Sequence, residues 1–161
     1  MQRRRRTIET FNIRRAHFED LPQVISLDEQ VTGLAKPDYW ADVFERYGAR
    51  RLDQRFFLVA QPSKPVGENA ILGLIVGEIR AWEFGSEPCG WVFAFSVHPD
   101  VRLIGIGTQL FKAISDAFRA AGVTTMRTMV THDNTLHMTF FRGEGMMAGP
   151  YIQLEKRLDE Y

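Results

Sequence analysis

The stretch Phe95-Ser96-Val97-His98-Pro99-Asp100-Val101-Arg102-Leu103-Ile104-Gly105-Ile106-Gly107-Thr108 decides the fold. It opens at the end of Trp91–Val97, which is aromatic and β-branched with almost no polar side chains. That composition suits a strand buried on both faces. His98-Pro99-Asp100 ends the strand, because proline has no N–H for a ladder and biases the preceding residue away from helix. From Ile106 the apolar residues recur at Ile106, Leu110, Ile114, Ala117, Phe118 and Ala121, a helical spacing with one buried face. Between strand and helix lies Arg102-x-x-Gly105-x-Gly107. Glycines there let the main chain come close to a ligand. The N–H groups of the first helical turn, at the positive end of the helix dipole, face whatever fills the loop. A diphosphate fits that description. The dinucleotide fingerprint Gly-x-Gly-x-x-Gly fails at Leu110, and the phosphate-loop Gly-Lys-Ser/Thr is absent.

A strand ending Val97-His98-Pro99, then Arg102-x-x-Gly105-x-Gly107, then Thr108 and Leu110, resembles the acyl-CoA loop of the GNAT N-acetyltransferase superfamily. The resemblance implies that main-chain N–H groups of Leu103, Gly105, Ile106, Gly107 and Thr108 hold the diphosphate of acetyl-CoA or another acyl-CoA. Arg102 belongs to the same loop. It further implies that the main chain at Phe95 and Val97 pairs with the pantetheine arm, in a splay between two parallel strands. A main-chain N–H of the same strand would stabilise the thioester oxyanion.

Upstream, Phe11–Ala16 alternates apolar and polar and reads as a first strand. Phe18-Glu19-Asp20-Leu21-Pro22 opens a helix toward Val31, with acids and proline where a helix start favours them. This unit also resembles the amino-terminal part of the superfamily. Gly33 breaks the helix. Lys36-Pro37-Asp38 starts a second one carrying Tyr39, Trp40, Val43, Phe44 and Tyr47, with Gly48 as its stop. In the superfamily this insert covers the acceptor site, so Tyr39 or Trp40 would line a pocket there; core packing is the plainer reading. Arg55–Ala60, Ala70–Trp82 and the strand at Trp91 follow as an antiparallel meander. Gly73 and Gly77 inside a strand suggest bulges or close backbone approach.

Downstream, Thr124–Val130 is β-prone, and the right-handed crossover rule sets it parallel to the central strand. His132-Asp133-Asn134 caps a short helix over 134–142, and Tyr151–Lys156 alternates as a closing strand. The expected architecture is therefore α/β (α+β). It is a single domain over residues 11–161 with a mixed central sheet of about six to seven strands and flanking helices. Residues 1–10 form a basic, flexible tail.

With 161 residues and 25% charged residues at zero formal charge, the chain has no global pull toward nucleic acid. Arg3–Arg6 is a local exception, and docking on RNA through it is a weaker reading. No apolar run approaches a membrane span and none follows Met1–Arg6 as an export signal would require, so a cytoplasmic protein is expected. Cys89 is the sole cysteine, which excludes an intrachain disulfide. One cysteine and four scattered histidines give no metal-site spacing.

The second resemblance lies after Asn134. Superfamily members often carry Asn, six residues, Tyr, then Gly-Phe; here stand Asn134, six residues, Phe141, and later Gly145-Met146. Phe141 replaces the tyrosine that protonates the leaving thiolate. Asn134, His137 or Met138, and Phe141 share one helix face that should look at the CoA arm. His137 is a conceivable substitute acid. An amine acceptor must lose a proton before attack, and Trp91–Val97 holds no glutamate for that purpose. Glu78 interrupts an apolar strand face and is the nearest base, acting through water. The sequence thus points to an N-acetyltransferase acting on a primary amine of a small molecule or protein by direct attack, and to a homodimer as a common state of small enzymes. Because both usual catalytic groups are missing, a non-catalytic acyl-CoA-binding module is the alternative.

Overall fold

The computed structural model describes residues 10–64 and 70–159; for Arg102, Leu103 and Ile104 it gives only the backbone. The Arg3–Arg6 cluster lies outside the described residues. The chain divides into two compact units, Met1–Met129 and Val130–Tyr161.

The first unit is built on strands β1 (Phe11–Arg15), β2 (Arg55–Pro62), β3 (Gly73–Arg80), β4 (Cys89–Val97) and β5 (Met126–Thr128). They form one mixed sheet in the order β1-β2-β3-β4-β5. The first four are antiparallel, and β5 runs parallel to β4, as the crossover rule requires. Helices α1 (Leu21–Thr32) and α2 (Pro37–Val43) cover one face, and α3 (Ile106–Ala120) covers the other. The period of two along β2 explains both layers. Phe56, Leu58 and Ala60 pack with Ile106, Leu110, Ile114 and Phe118, whereas Phe57 and Val59 pack with Leu21, Val24, Leu27, Trp40 and Val43.

Three strand glycines let α3 lie close to the sheet. A Cβ on Gly73 would stand 3.0 Å from Leu110 and 3.1 Å from Ile106; one on Gly77 would stand 2.5 Å from the Trp91 carbonyl; one on Gly90 would stand 2.3 Å from the Phe118 ring. Close approach, expected from Gly73 and Gly77, is therefore what these positions provide. The helix that carries the ligand loop is thus set at a fixed height.

Two polar anchors hold the opposite layer. Arg14 reaches Asp20 with two bonds of 2.6 and 2.8 Å, and the His17 N–H donates to the same carboxylate at 2.7 Å. Burial works to raise the Asp20 pKa, but the Arg14 and His17 hydrogen bonds outweigh it and hold the carboxyl below its usual range. Buried Asp28 accepts from the Trp40 indole at 2.9 Å and pairs with Lys36 at 2.9 Å, which ties α2 to α1.

The second unit contains α4 (Thr135–Gly143) followed by an irregular segment. Two expectations are corrected here. The sheet has five strands among the described residues rather than six or seven, and Tyr151–Lys156 forms no strand. Alternation specifies which side chains share a face, but a strand exists only when another strand supplies its hydrogen bonds. The fifth strand is also shorter than Thr124–Val130, because its ladder with β4 spans only Gly90↔Met126 to Val92↔Thr128.

Candidate active site

The decisive loop forms as two turns. His98 caps a 3₁₀ turn over Pro99–Ile104, its ring Nδ1 accepting from the Asp100 N–H at 3.2 Å. Gly105 then takes φ 84° and ψ 13°, left-handed values that cost any residue with a Cβ. It is also the residue before the first turn of α3, and it has no side chain with which to cap the helix. The first-turn amides of α3 belong to Ile106, Gly107 and Thr108. Gly105 supplies no side-chain cap to this helix start, and a helix start is a place where an anion can be held. Gly107 is buried and Gly105 exposed, so the approach to the loop is from the Gly105 side.

Beside this loop, β4 outruns its parallel neighbour. The β4–β5 ladder ends at Val92↔Thr128, where the Thr128 hydroxyl donates to the Val92 carbonyl at 2.8 Å. On its other side β4 continues paired with β3 as far as Val97↔Gly73. Phe93–Val97, the segment holding Phe95 and Val97, therefore lies past the end of the β5 ladder.

A β-bulge sits where the two strands part. Val76 pairs with Ala94 while Gly77 pairs with Val92, so Phe93 is the extra residue on β4. Its ring meets Tyr47 at 4.7 Å between centroids, which places it on the α1/α2 face. Arg55 stacks over the same Tyr47 ring at 5.0 Å. Tyr47 itself sits in a π-helical turn, Phe44–Gly48, that continues α2. The register shift falls at Gly77, one of the two glycines for which a bulge or close approach is expected; Phe93, the extra residue, is not singled out from sequence, because a run of Phe and Ala carries no mark of an inserted residue. Trp40 is core at 3% exposure, so the plainer reading holds for it, whereas Tyr39 is exposed. Tyr39 has its phenol pKa raised by partial burial.

Glu78 lies on the same α1/α2 face, two residues along from Val76, and it is braced. Its carboxylate is 3.6 Å from Arg55 Nε and accepts from Arg80 Nε at 3.2 Å. Arg80 in turn stacks over Trp91 at 4.9 Å.

In the second unit Asn134 is the N-cap of α4. Its Oδ1 accepts from the His137 N–H at 3.1 Å, which orients its amide so that Nδ2 stands 3.2 Å from His137 Nδ1. An amide nitrogen only donates, so Nδ1 accepts and the proton of the neutral ring belongs on Nε2. The His137 and Phe141 rings lie 6.0 Å apart, on one side of the helix as their spacing predicts.

The model of the acetyltransferase (GNAT) family matches residues 21–146. The chain belongs to the GNAT acetyltransferase family, and acetyl-CoA is the co-substrate its loop fits. No curated protein matches the sequence significantly. Among solved structures, an aminoglycoside N-acetyltransferase AAC(6')-Iy in complex with CoA superposes with a TM-score of 0.76 at 17% identity, covering 92% of this chain and 95% of that one. A glucosamine-6-phosphate N-acetyltransferase from Arabidopsis thaliana gives 0.69 at 20% identity, covering 94% and 100%. A transcriptional regulator from Bacillus halodurans C-125 gives 0.74 at 19%, covering 92% and 100%.

Proposed function

We propose that the protein transfers the acetyl group of acetyl-CoA to a primary amine by direct attack within a ternary complex. The observation that carries the reading is the left-handed Gly105 turn into α3, next to a β4 strand that runs on past the end of the β5 ladder. First-turn amides of Ile106, Gly107 and Thr108, with those of Leu103 and Gly105, hold the diphosphate. The β4 main chain at Phe95 and Val97 aligns the pantetheine. This delivers the thioester toward the bulge at Phe93, with the acceptor entering from the side of Tyr47 and Tyr39. Holding both reactants in line removes much of the entropic part of the barrier.

Proton handling follows from what the side chains have free. Accepting a proton at Glu78 would break two ion pairs, which weighs against it as the base. We assign it instead to bracing Arg55 and Arg80 beneath the acceptor face, with water carrying off the ammonium proton. The leaving thiolate is a weak base, with a free thiol pKa near about 8.5, so it needs little help. On the motif alone, where Phe141 has no hydroxyl, His137 is assigned that help, and its neutral ring carries the proton on Nε2.

Initial-rate kinetics with acetyl-CoA and a panel of amines, read by thiol release, test the reading. Intersecting double-reciprocal lines are expected. Parallel lines would demand an acetylated enzyme, and tight acetyl-CoA binding without transfer to any amine would favour a non-catalytic binding module.

A further inference from the structure

A row of side chains crosses β2, β3 and β4 on the α1/α2 face of the sheet. Arg55 pairs with Glu78, and Glu78 with Trp91, so the three stand side by side. Arg80, two residues on from Glu78, shares the face and stacks over Trp91 at 4.9 Å. Glu78 lies deepest among the charges, with 16% of its side chain exposed against 22% for Arg55 and 34% for Arg80. Its carboxylate is therefore committed to the two guanidiniums above it.

That commitment uses one corner of each guanidinium. Glu78 meets Arg55 and Arg80 at their Nε atoms, at 3.6 and 3.2 Å. Arg55 Nη1 donates to the Arg46 carbonyl at 2.9 Å. Among the described residues, Arg55 Nη2 and both terminal nitrogens of Arg80 donate to nothing. Glu83, on the turn after β3, stays 3.9 Å from Arg80 Nε, beyond hydrogen-bond reach. Two cations thus share one bonded carboxylate. Their remaining donors are the planar forks that bind a carboxylate or a phosphate best.

We propose that the acceptor amine carries an oxyanion, carboxylate or phosphate, which Arg55 and Arg80 seat about 7 Å from the reacting nitrogen. This rests on the acyl-transfer reading, which brings that nitrogen to Phe93. Trp91 lies two strand residues from Phe93, and that step sets the separation. The span is floored by rings: Tyr47 meets Phe93 at 4.7 Å and Arg55 at 5.0 Å. A chain of about five carbon atoms crosses it. A second ammonium at the far end would instead be repelled by both guanidiniums. In the transfer, the ammonium loses one proton to water. Its nitrogen then bonds the acetyl carbon as the C–S bond breaks, and the second proton it sheds ends on the CoA thiolate.

Acceptors of one length and different charge test it on the full chain: 5-aminopentanoate, its neutral amide, and 1,5-diaminopentane. The acid should exceed the amide in kcat/KM by about tenfold or more, mainly through KM, and the diamine should fall below both. In Arg80→Gln the acid-to-amide ratio should fall toward one; Arg55→Gln takes its place if that variant fails to fold. Isothermal titration of the product, N-acetyl-5-aminopentanoate, in the presence of CoA reads the seat without turnover. It should bind the wild type, and bind the variant about tenfold more weakly or worse. If no amine is acetylated but the product acid binds with that dependence on arginine, the transfer reading falls and the anion seat stands. An acid no better than its amide overturns the proposal. So does an acid preference that survives the variant, or a product acid that binds both proteins alike or neither.

Discussion

Replacing Gly90 with alanine isolates the contact that sets the height of α3. The new Cβ would lie 2.3, 2.5 and 2.6 Å from three atoms of the Phe118 ring. Carbon atoms rest at about 3.5–4.0 Å, so ring or helix must yield by about 1 Å. The ring is poorly placed to yield: it is buried, and it meets Phe56 edge-on at 5.6 Å. Overpacking costs about 1–3 kcal/mol, and a locked neighbour puts this substitution near the top, at about 3 kcal/mol. For a chain of this size each kcal/mol lowers Tm by about 2–4 °C, so thermal unfolding should shift down by about 6–12 °C. If α3 lifts instead, the Gly105–Thr108 turn moves with it and the KM for acetyl-CoA rises. Phe118→Leu should cost about 1–2 kcal/mol alone, yet relieve the clash when combined, leaving the double variant about 2 kcal/mol better than the sum. A Gly90→Ala protein melting within about 2 °C of wild type, or a strictly additive pair, would refute the reasoning.

Three further outcomes follow from the site and its supports. Asp20→Asn should cost about 2–4 kcal/mol, since it strips a mostly buried guanidinium of its partner. Because the folded pKa of Asp20 lies below the unfolded value near about 3.9, its stabilisation is complete above that pH and disappears as pH falls through the folded value. Melting curves from pH 7 down to about 3 should therefore drop more steeply for wild type than for the variant, and equal slopes would count against the ion pair. Glu78→Gln should lower Tm by a few degrees while leaving the shape of the pH–rate profile unchanged; loss of the acidic limb would restore Glu78 as the base. His137→Ala should lower kcat by no more than about tenfold, less so with an acyl donor whose leaving thiol is more acidic, and an unchanged kcat would remove it from the mechanism.

The central motif was legible because its chemistry is local. Pro99 stops a strand, Gly105 supplies a left-handed turn, and the spacing from Ile106 to Phe118 makes one helix face, all without reference to distant residues. Two-sided burial was expected at Trp91–Val97, where Val92 is the one buried residue and Phe93 is exposed; the stretches buried throughout are Phe56–Ala60 and Gly73–Gly77, which lie under helices on both faces. Gly77 marked the place of the bulge, but that Phe93 is its extra residue was not legible, because an extra residue is defined only against the register of β3. The brace on Glu78 was equally hidden: Arg55 stands far away in sequence and meets it only as its cross-strand partner. Tyr151–Lys156 misled because alternation declares an amphipathic strand and says nothing of which sheet receives it. Asn134 was expected along the CoA arm, and its observed bonds are those of a helix cap that also orients His137.

The proposed transfer requires main-chain amides at the start of α3 to grip the co-substrate. Isothermal titration of acetyl-CoA into wild type and into the Gly105→Val/Gly107→Val variant, with circular dichroism to establish that the variant is folded, tests this most directly. The account predicts that the folded variant loses at least about tenfold in affinity, or about 1.4 kcal/mol. Equal affinity in the two proteins would contradict it.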